Sequence, residues 1–422
     1  MSTSTVYTLF WIIYFPLCIA FYDAVPSLQY SDEILTLIMI FYALSKWGSL
    51  KQRLAKSEFI LYICLMTFYV IYSLLLAVNV SNSVWLDLQQ QVRPYAVFYC
   101  TWLLSPSFTK RQKNLIMNVM LLTYAAYAFL FIVSPGRITG IGGRESAVIG
   151  QLALVCAMTF YLFKPQTRRN LWFCMILMAI GLLGGKSKYF GEMVVFVALF
   201  WYMKGRIKLG SGKTIMQFAL ITVVVLFFTW TKFNAYYVEG MAEASGYDRM
   251  ARPESYKTAM TIIFEDYIPF GSGLGTFATN AAAEYYSPLY YKYNLSNIWG
   301  LDPSNPMFLA DAFYPTLAEY GIFGLVFFFI FWRRRLKAVI KLPDNRYYKV
   351  GLMCILALAL ESTADTSYLS GKGMEYFMLL AMCLGSKDVW LRQQRWLMAR
   401  RKSQELQQKN SNADNSENQL EK

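Results

Sequence analysis

Apolar stretches alternate with short basic clusters along nearly the whole chain. A helix needs about 20 apolar residues to cross the hydrocarbon core of a bilayer, and these stretches approach that length. A mean hydropathy of +0.33, with 56% hydrophobic and 16% charged residues, is typical of polytopic membrane proteins and not of soluble globular ones. We therefore predict an all-α polytopic membrane protein with about twelve transmembrane helices. The predicted spans begin near Tyr7, Ile34, Phe59, Pro94, Asn114, Val148, Leu171, Tyr189, Ile215, Thr316, Val350 and Met374.

The basic clusters fall in every second loop. Lys and Arg are enriched in cytoplasmic loops, so this alternation predicts that both termini are cytoplasmic. A net charge of +14 could indicate nucleic-acid binding, but its distribution in short clusters between apolar runs favours loops that face an anionic membrane surface. We expect no nucleic-acid partner. The clusters lie at residues 51–56, 110–113, 168–169, 204–208 and 333–337.

The chain divides into a predicted transmembrane domain, residues 1–388, and a tail, residues 389–422. The tail is predicted to be cytoplasmic, basic at first and then disordered, because polar residues dominate it. One outward loop, residues 232–304, is far longer than the others and contains helical patterns near 254–264 and 280–286. A long ordered loop between spans usually has a function of its own.

Three groups of Arg and Lys lie on the predicted outward side, against the usual bias of membrane topology. Guanidinium and ammonium groups bind phosphate oxygens well, so these cations suggest an anionic ligand. The alternative is ordinary snorkelling, in which the apolar stem of each side chain packs against hydrocarbon and its charge lies at the membrane interface. The residues are Arg137 and Arg144, Lys186 and Lys188, and Arg249 and Arg252.

Few residue types remain for catalysis. The chain has no histidine, which excludes Ser-His-Asp and Cys-His mechanisms, and its seven cysteines all lie in apolar segments. The glycine-rich segment with Gly271, Gly273 and Gly275 is a candidate site loop, although such a pattern also suits a plain turn. For Glu319, in an apolar segment, a structural ion pair with an outward arginine is favoured over catalysis. The outward candidates for a base are Asp266, Asp302, Asp311, Glu319 and Asp365.

Taken in order, these features resemble the O-antigen ligase and O-antigen polymerase family, bacterial membrane glycosyltransferases of the GT-C type. The resemblance covers roughly residues 137–324 and the late position of the long loop. Ala310 and Asp311 stand where the family's closing motif has His and Asn. The matching residues are Arg137 to Gly140, Ser187-Lys188, Arg252 with Tyr256, the run Pro269, Gly271, Gly273 and Phe277, and Glu319 to Gly324.

The resemblance implies a polysaccharide polymerase of the O-antigen or capsule type, acting at the periplasmic face of a bacterial inner membrane. The donor would be an undecaprenyl-diphosphate-linked oligosaccharide, and the acceptor a sugar hydroxyl of a second lipid-linked glycan. Arg137, Lys188 and Arg252 would grip the diphosphate, and Asp311 would orient or deprotonate the acceptor. No outward Asp-x-Asp pair is present, which suits a reaction without a metal or other cofactor.

Other functions fit the same pattern. An O-antigen ligase or a protein O-oligosaccharyltransferase would use the same donor, but the missing histidine counts more against a lipid A-core ligase than against a polymerase. A transporter or flippase of the lipid-linked sugar is a third alternative. Besides membrane lipids, a chain-length regulator protein is a possible partner of the polymerase.

Overall fold

Every regular element in the part of the chain that the structure describes is helical. The structure is a computed structural model. The described residues are 2–16, 31–50, 52–133, 142–203 (backbone alone for 142–146), 205–207, scattered positions between 211 and 234, and 249–386. The predicted basic tail and the loop around Arg137 lie outside these residues.

The helices match the predicted apolar spans closely. Each predicted span has a helix over it, except the one near Ile215, which falls mainly outside the described residues. In chain order the helices are α1 (Thr3–Tyr14), α2 (Ser31–Ser45), α3 (Arg53–Leu76), α4 (Ser81–Leu104), α5 (Lys110–Val133), α6 (Gly142–Phe163), α7 (Arg168–Gly181), α8 (Ser187–Val197), α9 (Ala251–Thr261), α10 (Asn280–Glu284), α11 (Leu289–Lys292), α12 (Gly321–Ile340), α13 (Asn345–Glu361) and α14 (residues 371–386).

Two helices begin at positions that the apolar pattern does not indicate. Helix α4 begins at Ser81 and contains Pro94 in its interior. Its first half is too polar to read as a span, but Asp87 and Arg93 are buried against other protein groups. Helix α12 begins five residues later than Thr316, because residues Tyr314–Glu319 form a separate 3₁₀ turn with a proline at its start.

Two of the described helices, α3 and α5, are long and apolar enough to cross a membrane. Only 28% and 33% of their most apolar stretches are buried, whereas the core helix of a soluble protein is mostly buried. Large apolar side chains project from both, such as Leu75, which is 81% exposed, and Leu122, which is 72% exposed. The other helices are shorter or more polar, so length and composition do not establish the predicted total of about twelve.

The centre of the bundle is formed by α6 and α14. Residues 152–158 of α6 are at most 1% exposed, and residues 374–381 of α14 have no exposed surface. A helix that is apolar on all sides must be enclosed by other helices. Here α5, α7 and α13 pack against α6.

The long loop forms a compact cap with its own small core. Helix α9 continues as a π-helical turn, Ile262–Asp266, and α10 follows after the glycine-rich segment. Both predicted helical pieces are thus confirmed. Buried residues from α9 to the turn before α12 pack together, among them Ala259, Ile262, Phe277, Tyr290 and Leu295. The cap places the start of α9 near the start of α8 and the end of α13.

Candidate functional site

Two ion pairs meet where the cap contacts the bundle. The first joins Lys188, in the first turn of α8, to Asp365, in the segment after α13. Lys188 Nζ contacts Oδ2 of Asp365, and Oδ1 accepts a hydrogen bond of 2.9 Å from the backbone N–H of Ser367. Both carboxylate oxygens therefore have donors.

The second ion pair joins the start of α9 to the segment before α12, within the cap. Arg252, in the first turn of α9, donates from Nε to Asp311 Oδ2 at 2.7 Å, and its Nη2 lies 2.5 Å from the same oxygen. Two donors on one oxygen fix the orientation of the guanidinium. The side chains are 16% and 25% exposed, so solvent reaches this pair only partly.

The two ion pairs form one site, which we call the charged cluster: Lys188, Arg252, Asp311 and Asp365. Asp311 lies within electrostatic reach of both Lys188 and Asp365. Neighbouring hydrogen bonds hold the contributing segments together. Tyr256 donates its hydroxyl to the backbone oxygen of Thr363 at 3.0 Å, and Thr366 Oγ1 donates to the backbone oxygen of Ala310 at 3.1 Å.

The two carboxyl groups of the charged cluster differ in acidity. Burial raises the pKa of Asp311 above its ordinary value, and Arg252 offsets part of that rise. For Asp365, burial also acts to raise the pKa, but Lys188 and Lys372 outweigh it and hold the pKa well below its usual range. Asp311 is therefore the better proton acceptor of the two, since a base works best when its pKa is near the working pH.

The structure brings together part of the predicted diphosphate-binding set. Lys188, Arg252 and Asp311 converge as described. Arg249 does not join them, because it pairs with Glu254 and donates to the backbone oxygen of Asn294 at 3.2 Å. Lys186 directly precedes α8.

Two predicted cations, Arg137 and the side chain of Arg144, lie outside the described residues. Of Arg144 the structure describes the backbone alone, within the first turn of α6.

Glu319 has a different role from the predicted one. Its side chain has no exposed surface, and no arginine in the described part of the chain pairs with it. Instead its Oε1 accepts hydrogen bonds from the backbone N–H groups of Thr276 at 2.7 Å and Phe277 at 2.9 Å, and from Thr279 Oγ1 at 3.2 Å. Burial and the adjacent Asp87 carboxyl raise its pKa well above the ordinary value. Glu319 therefore acts as a structural acceptor, and the predicted catalytic assignment is not supported by its position.

The glycine-rich segment is packed against protein and has no room for a ligand. Gly271, Gly273 and Gly275 all have positive φ, from 71° to 87°, which side chains disfavour. A Cβ on Gly275 would lie 2.3 Å from Ser83 Oγ, and one on Gly271 would lie 2.4 Å from the backbone oxygen of Ala318. We name residues 271–279 the glycine turn. It fastens the cap to α3, α4 and the start of α12.

Several ionisable residues near the charged cluster escaped the sequence analysis. Lys372 acts on Asp365, and Lys188 also interacts with Glu361 and Glu192. Glu192, Glu361 and Glu375 are at most 3% exposed, inside the helical body. The signal that could have found them is an ionisable residue within an apolar segment, which is costly unless it serves a purpose.

Comparison of the chain with known protein families, with curated proteins and with solved structures finds no significant match.

Proposed function

We propose that the chain is a polysaccharide polymerase that transfers a glycan from a polyprenyl diphosphate, such as undecaprenyl diphosphate, to a sugar hydroxyl of a second lipid-linked glycan. The observation that carries this proposal is the charged cluster. It brings two cations from distant segments, Lys188 and Arg252, within electrostatic reach of Asp311, a carboxyl group with a raised pKa. A diphosphate leaving group needs positive charge, and an acceptor hydroxyl needs a base.

The reaction exchanges one bond at the anomeric carbon for another. The carbon–oxygen bond to the diphosphate breaks, and its electron pair stays on the diphosphate, next to Lys188 and Arg252. The acceptor oxygen bonds to the anomeric carbon, and its proton passes to Asp311. No metal ion is required for the charge balance, because the two cations serve the leaving group.

The two ion pairs fit this scheme. Lys188 and Arg252 are held in place by Asp365 and Asp311, so their positions are set before a substrate arrives. A diphosphate that binds Arg252 would displace Asp311 from it. The freed carboxylate then lies beside the reacting centre, and loss of its cationic partner raises its basicity further.

The exposed apolar surfaces of α3 and α5 support a multi-pass membrane location. The topology proposed with it is that of a bacterial inner membrane protein, with the charged cluster on the periplasmic side and both termini in the cytoplasm. The helix ends are consistent with it, because the clusters 51–56 and 333–337 both lie at the ends of α3 and α12 away from the cap. A lipid-linked diphosphate stays at the membrane surface, where such a cluster can meet it.

The test uses the purified protein in lipid vesicles with a lipid-linked repeat unit as the only substrate and with a metal chelator present. A polymerase gives a ladder of products spaced by one repeat. Arg252→Gln should lower the rate at least about a hundredfold, which is the usual effect of removing a charge-stabilising donor. Lys257→Gln is the matched control on α9. Its rate should stay within about twofold of wild type, because Glu254, the partner of Lys257, is still paired with Arg249.

Transfer that occurs only after a lipid core or a protein is added would reassign the chain as a ligase or an oligosaccharyltransferase. No transfer with any acceptor would contradict the proposal.

A second candidate function is transport of the lipid-linked sugar, and one observation favours it. Glu192, Glu361 and Glu375 are buried in the helical body, and neither oxygen of Glu375 has a hydrogen-bond partner among the described residues. Buried carboxyl groups of this kind are typical of proton-coupled transporters. A vesicle assay that follows the lipid-linked sugar across the bilayer, with Glu375→Gln as the variant, distinguishes this function from glycosyl transfer.

A further inference from the structure

An apolar groove, open to the outside of the bundle, runs between α3 and α12. Leu61 and Leu65 of α3 form one wall, Phe327 and Phe331 of α12 form the other, and Tyr95 of α4 lies at the floor. Leu61 is 49% exposed, so the groove opens toward whatever surrounds the protein. Because α3 is one of the helices able to cross a membrane, that surrounding is lipid in the proposed membrane location.

Two of the tyrosines that line the groove have hydroxyl groups bonded within the protein. Tyr62 donates its hydroxyl to the backbone oxygen of Gln91 at 3.0 Å, and the hydroxyl groups of Tyr95 and Tyr368 lie 2.6 Å apart. These two hydroxyl groups are therefore satisfied by protein groups. Most of the other side chains that line the groove are leucine, methionine, isoleucine or phenylalanine, whose carbons suit a hydrocarbon chain.

One end of the groove is positively charged. Glu58 of α3 accepts from Arg335, which is 2% exposed, and from Arg334, whose Nη1 lies 3.3 Å from Oε1 of Glu58. Two guanidinium groups thus share one carboxylate, so one positive charge remains uncompensated among these three residues. Arg334 carries it outward, since its side chain is 57% exposed.

The part of the groove that α12 lines is about as long as one leaflet of a bilayer, and Phe313, Leu317 and Tyr320 continue the lining toward the cap. Along α12 the lining runs from Gly324 to Arg335, which corresponds to about 17 Å at the helical rise of 1.5 Å per residue. Half of a hydrocarbon core of about 30 Å is about 15 Å. A single acyl chain that enters at the basic end therefore fits the groove.

We propose that this groove binds an anionic phospholipid, with one acyl chain between α3 and α12 and the phosphate group against Arg334. The proposal requires the chain to lie in a membrane, and it requires nothing of the glycosyl transfer proposed above. A polyprenyl diphosphate held by the charged cluster is a poor match for the same place. Its anion would lie near the start of α12, about 20 Å along the helix from Arg334.

Native mass spectrometry of the full-length protein tests the proposal. The protein is purified in detergent and exchanged with phosphatidylglycerol or with phosphatidylcholine of the same chain length. We expect wild type to retain phosphatidylglycerol about fivefold better than phosphatidylcholine, which corresponds to one basic residue near a lipid surface. Arg334→Gln should remove this preference.

Arg333→Gln is the matched control, because Arg333 is the preceding residue on α12, is exposed and does not line the groove. Equal retention of the two lipids by wild type would overturn the proposal. So would equal effects of Arg333→Gln and Arg334→Gln, or a co-purified polyprenyl lipid in place of the phospholipid.

A second variant tests the position of the acyl chain. Leu61→Trp fills the groove from the α3 side and should abolish lipid retention while Arg334 is intact. Ile60→Trp adds the same ring to the neighbouring position, which is 50% exposed and outside the groove, and should leave retention unchanged. Unchanged retention in Leu61→Trp would show that the chain binds elsewhere and would overturn the assignment.

Discussion

At the scale of single residues, the charged cluster depends on an unequal pair of carboxyl groups. Asp311 and Asp365 lie near each other, but they carry pKa shifts of opposite sign because their neighbours differ. A difference in pKa between two carboxyl groups commonly distinguishes the base of a site from the anion that positions a neighbouring group. Asp311 is the proposed base, and Asp365 positions Lys188.

The pH dependence of transfer follows from these shifts. As pH falls through the raised pKa of Asp311, the carboxylate is protonated and the proposed reaction slows. Arg252 lowers this pKa, so Arg252→Gln should move the acidic limb of kcat/KM to higher pH. Asp365 raises it, so Asp365→Asn should move the same limb to lower pH. The check is a pH profile of kcat/KM for each variant, normalised to its own maximum. Shifts of the acidic limb in the same direction in both variants would show that Asp311 is not the base.

Glu319 offers a contrasting prediction about stability. Glu319→Ala leaves three buried donors without their acceptor, at about 1–3 kcal/mol for each unsatisfied group. We expect a clear drop in thermal midpoint in detergent, whereas Asp311→Asn should lower transfer with little effect on that midpoint. Glu284→Ala, at an exposed position ending α10, serves as the control. An unchanged midpoint in Glu319→Ala would contradict the structural role.

At the scale of elements, the glycine turn joins the cap to the bundle. The backbone N–H of Leu274 donates to Ser73 Oγ of α3 at 2.7 Å, and that of Gly275 donates to Asp87 Oδ2 of α4 at 3.2 Å. These bonds fix the cap, and therefore α9, relative to the helices. The position of Arg252 in the charged cluster depends on this joint.

Gly275→Ala tests the joint. The residue has a φ of 71°, and the added Cβ would lie 2.3 Å from Ser83 Oγ and 2.5 Å from the Ser83 backbone oxygen. A left-handed conformation alone costs a non-glycine residue about 1–2 kcal/mol, and the contact adds to it. We expect a lower thermal midpoint and faster proteolysis of the cap. Gly48→Ala meets nothing within 4 Å and should have neither effect. Equal behaviour of the two variants would show that the turn is not a rigid joint.

At the scale of the whole molecule, the charged cluster and the basic end of the groove belong to opposite ends of the bundle. Helix α12 links them, since its start adjoins the cap and its last turns carry Arg334 and Arg335. The proposed topology therefore places glycosyl transfer on one side of the membrane and the phospholipid phosphate on the other.

Cysteine labelling tests this arrangement. In a background without native cysteines, which include the exposed Cys64, Tyr291→Cys marks the cap and Arg333→Cys marks the last turns of α12. We expect a membrane-impermeant thiol reagent to label the first from the periplasmic side and the second only after permeabilisation. Labelling of both from the same side would contradict a membrane-crossing α12.

The positions of the helices could be predicted from the chain alone. Apolar runs bounded by polar segments define helices locally, and helical pieces inside the long loop follow from the same periodicity. Errors arose at α4 and before α12. There, buried polar residues such as Asp87 and a proline-led turn depend on neighbours that are distant in sequence.

The candidate site was predictable only in part. Lys188 and Arg252 stood out because positive charge on a predicted outward loop is unusual, and Asp311 stood out as an acidic candidate base that the family resemblance also marks. Their ion pairs, including the one with Asp365, form only because α8, α9 and the end of α13 lie close together in the fold. No local sequence pattern predicts that these three elements are neighbours.

Residue types and spacing thus determined an all-helical chain and the candidate charges. Tertiary packing alone decided that Glu319 and the glycines form a buried joint, and that α3 and α12 enclose a groove. The physical reason is that hydrophobicity acts on each segment by itself, whereas hydrogen bonds and ion pairs act only between groups that the fold has brought within a few ångströms.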